Sequence, residues 1–284
     1  MGLKTIKKNP QKVSAKKKAQ YKKSTETEVH SRDYWAIILG GSSGLGLATA
    51  KKLAQHGMNI CLVHRDRKVM LPKLEIDIKE ILSQDVKIMN FNKDILVKAN
   101  RDEILSKLPK NSVKLLLHSV AKGSLKPMSG SSDDVLSTED IDITLHAMGS
   151  SWYEWTRALI DRELFAKNAR NIAFTSEGST KVWQGYGAVS AAKATLEALM
   201  RSMAVELAPL GITTNCIQAG TTETPSFTMI PNSDKLAKMA KKRNPFKRLT
   251  TPNDVANAVY LLSKDEANWI NGTIIKVDGG ESIR

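Results

Sequence analysis

The feature that most constrains this chain is Gly40-Gly41-Ser42-Ser43-Gly44-Leu45-Gly46, which follows the apolar run Trp35–Leu39 directly and opens a helical pattern. Glycine permits a tight turn and lets the backbone come close to a pyrophosphate. The helix beyond offers free N–H groups and the positive end of its dipole, which favour phosphate. A glycine cluster alone is a weak signal, because ordinary turns are also rich in Gly and Ser. Set between a strand and a helix, it predicts a nucleotide site built from Gly40, Ser42, Ser43, Gly44, Leu45 and Gly46.

The remaining sequence alternates in the same way. Short apolar runs at Trp35–Leu39, Asn59–Val63, Val86–Phe91, Val113–His118, Asn171–Thr175, Ile212–Ile217 and Thr273–Val277 read as strands. Helical patterns read over 45–56, 71–83, 96–107, 138–168, 187–207 and 254–262. Strand alternating with helix predicts parallel crossover units. The fold class is therefore α/β: one doubly wound parallel β-sheet of Rossmann type, flanked by helices on both faces, as a single domain over 34–284.

Composition narrows the class further. The chain is 41% hydrophobic, enough for a sizeable core, and its apolar runs are too short to span a bilayer. Two cysteines, Cys61 and Cys216, exclude a disulfide scaffold and suit a reducing, cytoplasmic setting. The histidines and cysteines lack metal-ligand spacing, so no metal is expected. The net charge of +14 is concentrated: residues 1–33 carry +7 and residues 226–248 carry +6, which leaves +1 for the rest. That distribution argues against a protein basic all over, and so against nucleic acid as the main partner. Residues 1–33 read as a flexible basic tail without an apolar signal region.

The end of the second strand bears on the choice of cofactor. A site preferring NADH usually places an acid there to bond the ribose hydroxyls. This chain has His64, then Arg65-Asp66-Arg67. A guanidinium can clamp a 2′-phosphate, so Arg65 points to NADPH, while Asp66 keeps NADH open. Asp94-Ile95 follows the third strand. Asp94 reads either as a partner for the adenine amino group or as a local cap for the next helix.

Taken together, these residues resemble the short-chain dehydrogenase/reductase family over 34–284. Gly40-x3-Gly44-x-Gly46, Asn215, Ala219-Gly220, Thr224 and Val277-Asp278-Gly279-Gly280 fall in family order, with Leu39 replacing the usual Thr. The centre departs from the usual Tyr-x3-Lys: the residue four before Lys193 is Val189, and the nearest tyrosine gives Tyr186-x6-Lys193. Seven helical steps turn through about 700°, so both residues share a face to within about 20°. This spacing is similar to that of the enoyl-[acyl-carrier-protein] reductase branch. His118-Ser119-Val120-Ala121, Asn215-Cys216-Ile217-Gln218-Ala219-Gly220 and His146 resemble the same branch. Seventeen residues before Lys193, where many enoyl reductases carry a second tyrosine, stands Ser176, the residue type of ketone-reducing relatives.

The resemblance implies a reaction and roles. Hydride would pass from NADPH to the β-carbon of a trans-2-enoyl thioester. Tyr186 would donate to the thioester oxygen as charge develops there, Lys193 would bond the nicotinamide ribose and acidify the tyrosine, and Ser176 would add a hydrogen bond. Ser119, Val120, Ala121, Ala219, Gly220 and Thr224 would line the cofactor, with Arg65, Asp94 and Ile95 at its adenosine end. The segment 221–248 would cover the substrate, with Phe227, Met229, Ile230, Leu236 and Met239 lining an acyl groove. Lys235, Lys238, Lys241, Lys242 and Arg243 would face an acidic carrier protein or a phosphopantetheine phosphate; the alternative is a solvated helix face. The resemblance also implies a homotetramer acting on acyl carrier protein or CoA thioesters in fatty-acid synthesis. Reduction of a ketone or 3-oxoacyl group is the alternative.

Overall fold

The computed structural model describes residues 33–130 and 134–284. The basic tail read from the sequence lies outside them, apart from Asp33. Seven parallel strands form one sheet in the order β3-β2-β1-β4-β5-β6-β7. They are β1 (Trp35–Leu39), β2 (Asn59–His64), β3 (Ile88–Asn92), β4 (Val113–His118), β5 (Phe165–Thr175), β6 (Ile212–Ala219) and β7 (Ile274–Val277).

The fully apolar character of β1 follows from its central place, since both of its faces are covered and all five residues are buried. Successive side chains point to opposite faces, and the core divides accordingly. Ile37 and Leu39 pack with Leu116, Trp152, Trp155, Leu196 and Met200 on one face. Ala36 and Ile38 pack with Leu53, Leu62, Leu117, Val255 and Val259 on the other. Helices α1 (Gly44–Gln55), α2 (Leu71–Leu82) and α9 (Pro252–Ser263) serve the second face. Helices α3 (Lys98–Leu105), α5 (Ser151–Asp161) and α6 (Gly187–Glu206) serve the first.

The strand order reverses between β1 and β4, which opens a crevice at the carboxyl ends of the strands. There the β1 and β4 ends are tied by Ser119 N–H to Leu39 O at 2.8 Å, and Gly40 N–H bonds Val63 O at 2.8 Å.

One expectation fails. The span 138–168, read as helix throughout, is α4 (Thr138–Leu145), a π-turn over His146–Ser150, then α5, and β5 begins at Phe165. Glu163 and Asn168 adopt φ of 55° and 54°, which breaks the helix and admits a bulge. Phe165 pairs with Val113, whereas Leu115 pairs with Arg170, so the extra residues of β5 are absorbed between them. The first half of β5 is thus held by its neighbour and not by its own pattern. Buried Arg170 fastens this end: it donates to Leu262 O at 2.7 Å, Lys264 O at 2.8 Å and Asn268 Oδ1 at 2.6 Å, occupying carbonyls at the end of α9.

Between β6 and α9 the chain leaves the sheet and forms two further helices, α7 (Pro225–Thr228) and α8 (Ser233–Arg243). Among the described residues no helix is long and apolar enough to cross a membrane.

Candidate active site

The glycine loop packs too tightly for any other residue at two positions. At Gly40, with φ of 83°, a Cβ would stand 2.3 Å from Ser119 O. At Gly46 it would stand 2.3 Å from Gly40 O and 3.1 Å from Ser119 Oγ. Gly44 faces Thr224, whose methyl lies 3.2 Å from where its Cβ would be. The loop, Ser119 and Thr224 therefore lie together. Ser43 sits at the N-cap of α1 without capping it, and the first turn holds no acidic residue. The first N–H groups of α1 are unclaimed by any side-chain cap, and the donor set fits an anionic diphosphate. Leu45 packs against the core beneath the loop. Val120 is half-buried and Ala121 exposed at the rim of the crevice. Ala219 and Gly220 end β6 opposite them; a Cβ on Gly220 would meet Thr250 Oγ1 at 2.4 Å and Asp278 Cα at 2.9 Å.

At the adenosine end the two candidate groups hold each other. Arg65 NH1 donates to Asp94 Oδ2 at 2.6 Å, and Lys122 Nζ stands 3.9 Å from the same oxygen. Asp94 Oδ1 also accepts the Leu96 N–H at 3.0 Å. Burial acts to raise the Asp94 carboxyl, but the Leu96 N–H, Arg65 and Lys122 hold it below the usual carboxylate range. Asp94 thus closes a local turn two residues on and does not cap the next helix, since α3 begins at Lys98 with Val97 at its N-cap, and it carries an ion pair that the sequence did not suggest. Ile95 turns its side chain into the core and lends its carbonyl to Trp155 Nε1 at 3.0 Å.

The candidate reacting groups gather where β5 ends. Ser176 follows Thr175, and its Oγ accepts the Gly178 N–H at 3.1 Å. Tyr186 occupies the cap position of α6, one residue before the first helical turn. Its ring meets Trp183 edge-on, with centroids 5.5 Å apart, and Gly178 lies so close that a Cβ would be 2.4 Å from Cε1. Burial raises the Tyr186 phenol, and a hydrogen bond with Ser176 offsets part of that.

Lys193 is buried on α6 and donates from Nζ to Phe174 O at 2.7 Å. Burial pushes it down to about 8, against the opposing pull of Cys216 and Glu197. Glu197, one turn on, accepts from Thr175 Oγ1 at 2.5 Å. The expected acidifying influence of Lys193 on Tyr186 does not appear, because the ammonium is turned toward the sheet. Its charge is felt by His118, which burial and Lys193 together push down to about 3. His118 is therefore neutral at any working pH and unsuited to proton transfer.

At the mouth, Phe227 packs half-buried on Ala237, Ala240 and Leu249, and Ile230 is half-buried. Met229 and Met239 are exposed, as are Lys235, Lys238, Lys241 and Lys242. Arg243 departs from its neighbours. It is not a free surface cation; its NH2 donates to Glu177 Oε2 and Glu281 Oε1, both at 2.8 Å. Sequence reasoning missed Trp183, Glu197, Glu177 and Glu281. The i, i+4 spacing of Glu197 from Lys193 was a readable signal, whereas the pairing of Arg243 with residues 66 and 38 positions away was not. Among the described residues no group of three or more His, Cys, Asp or Glu is placed to hold a metal ion.

A parallel doubly wound sheet with a glycine loop at its switch point, beside a tyrosine, a serine and a buried lysine, defines an NAD(P)-dependent oxidoreductase fold. A family model described as "Enoyl-(Acyl carrier protein) reductase" matches residues 40–282, and the chain belongs to the short-chain dehydrogenase/reductase family. It is 25% identical over 256 residues to the (2S)-[(R)-hydroxy(phenyl)methyl]succinyl-CoA dehydrogenase subunit BbsD of Thauera aromatica, covering 87% of this chain and 96% of that one. It is 28% identical over 258 residues to the enoyl-[acyl-carrier-protein] reductase [NADH] FabI of Aquifex aeolicus, covering 87% and 91%. Among solved structures, a short-chain dehydrogenase from Burkholderia cenocepacia in complex with NADP superposes with a TM-score of 0.74 at 25% identity, covering 88% of this chain and 98% of that one.

Proposed function

We propose that this protein reduces the trans-2 double bond of an enoyl thioester carried on acyl carrier protein or CoA, using NADPH, in fatty-acid synthesis. The observation that carries the reading is the phenol of Tyr186, half-buried at the cap of α6 beside Ser176, with Lys193 seven residues on inside that helix and Val189 in the position the tyrosine usually holds. The family match and the likeness to an enoyl reductase support it.

A nicotinamide dinucleotide would supply the hydride when bound. Gly40, Ser42, Ser43, Gly44, Leu45 and Gly46 would hold its diphosphate, and Ser119, Val120, Ala121, Ala219, Gly220 and Thr224 would form the walls. Tyr186 donates to the thioester oxygen, where negative charge develops only as the reaction proceeds, and this lowers the barrier more than it tightens binding. Ser176 orients the Tyr186 hydroxyl. Lys193 binds the nicotinamide ribose once it turns from Phe174 O. Arg65, paired here with Asp94, would hold the 2′-phosphate of NADPH; NADH is the alternative.

The segment 221–248 acts as a substrate lid, with Phe227, Met229, Ile230 and Met239 toward the acyl chain. The exposed lysines of α8 face the acidic carrier. The protein works as a cytoplasmic homotetramer, which sedimentation tests directly.

The Ser176 hydroxyl beside Tyr186 favours a second reading, reduction of a ketone or 3-oxoacyl thioester, since a serine–tyrosine pair suits a carbonyl oxygen. One spectrophotometric experiment separates the two. Oxidation of NADPH by crotonyl thioester supports the first, and turnover of acetoacetyl thioester alone overturns it. NADH run in parallel decides the cofactor.

A further inference from the structure

Both ends of the segment between β6 and α9 converge on one buried carboxylate. Glu281, 2% exposed, accepts the Thr221 N–H at 3.2 Å and the Thr221 hydroxyl at 2.8 Å where the segment begins. It accepts Arg243 NH2 at 2.8 Å where α8 ends. The same nitrogen donates to Glu177 Oε2 at 2.8 Å. Glu177 directly follows Ser176, and Lys181 pairs with its other oxygen.

The turn that Glu177 opens is the wall against which Tyr186 rests. Gly178 stands against the Tyr186 ring, and Trp183 meets its edge. Between its anchors the segment is held far less firmly, with Met229 and Met239 exposed and Phe227 only half-buried. The Arg243 Nε is buried without a hydrogen-bond partner, so the guanidinium's grip passes through a single nitrogen that bridges two carboxylates. A charge held between two anions at a partly desolvated site interacts more strongly than an exposed ion pair. Breaking it frees two elements at once.

We propose that Arg243 is a positioning residue that clasps the end of α8 to the turn carrying Ser176 and Tyr186, so that the cover over the acyl chain and the reacting hydroxyls keep one register. The proposal rests on the reading of 221–248 as a substrate lid, and it assigns Arg243 a role different from that of the exposed lysines beside it. Glu281 is the fixed post, and Glu177 is the arm that reaches the site. Loss of the clasp weakens acyl binding and misplaces Tyr186, and it reaches the dinucleotide loop only through Thr224, which faces Gly44.

The test compares wild type, Arg243→Gln, Arg243→Lys and Glu177→Gln as full chains with NADPH present, by hydrogen exchange and by steady-state kinetics with crotonyl thioester. Arg243→Gln is expected to quicken exchange in both 221–243 and 177–186. It is also expected to raise KM for the thioester at least tenfold, a larger change than any in NADPH affinity, which Thr224 alone links to the segment. Arg243→Lys, which keeps one charged bridge, should recover part of both effects. Glu177→Gln removes only the arm to the site, so it should quicken 177–186 while the anchor on Glu281 persists. Faster exchange confined to 238–248, or an unchanged KM in Arg243→Gln, overturns the clasp. A wild type without enoyl turnover refutes the proposed reaction instead, and the exchange data still decide the clasp.

Discussion

Replacing Lys193 by Met should make the protein more stable near neutrality while abolishing activity, and the gain should fade as the pH rises. The ammonium is buried, and its folded value is pushed down from 10.5 to about 8. A displacement of about 2.5 units corresponds to about 3 kcal/mol of differential interaction. Between those two values the unfolded chain binds more protons than the folded one, so stability rises with pH there. Below pH 8 the full cost of burying the charge is present, and above 10.5 it is gone. Methionine removes that cost but leaves Phe174 O without its donor, which returns about 1 kcal/mol. A net gain of about 2 kcal/mol is expected at pH 7, shrinking by about 1.4 kcal/mol per unit above pH 8. Urea unfolding of both proteins at pH 7, 8.5 and 9.5 measures the difference directly. A variant less stable than wild type at pH 7, or a difference that ignores pH, refutes the account of Lys193 as a strained, buried cation.

Three further outcomes are expected. Tyr186→Phe should lower kcat with crotonyl thioester by about a hundredfold to a thousandfold, the loss of one donor to a developing oxyanion, with NADPH affinity within twofold by nicotinamide fluorescence. Arg65→Ala should weaken NADPH more than NADH in titrations of both cofactors, and the difference should narrow with salt, as the contact with the 2′-phosphate is exposed. Arg170→Ala should destabilise the protein by about 3 kcal/mol in urea, because the carbonyls at the end of α9 lose their buried donor, with the kinetics unchanged at permissive temperature.

Local pattern determined much of this protein. The all-buried β1, the glycine loop and the onset of α1 are legible because each shows in consecutive residues: an unbroken apolar run for a strand covered on both faces, and glycines grouped between that strand and a helix, although the clash a Cβ would make with Ser119 is a tertiary contact. The helix that carries Lys193 was legible for the same reason, although Tyr186 stands at its cap, one residue outside it. Tertiary structure decided what long-range pairing controls. It cut the span 138–168 into two helices around a π-turn and a strand, since Phe165 is extended only through its pairing with Val113. It turned Lys193 to Phe174 O, set Arg65 on Asp94, and drew Arg243 out of a row of solvated lysines to join Glu177 and Glu281. Periodicity reports which face of a segment is apolar. It carries no record of which distant carboxylate a cation will meet, because that depends on how the crossovers bring the strand ends together.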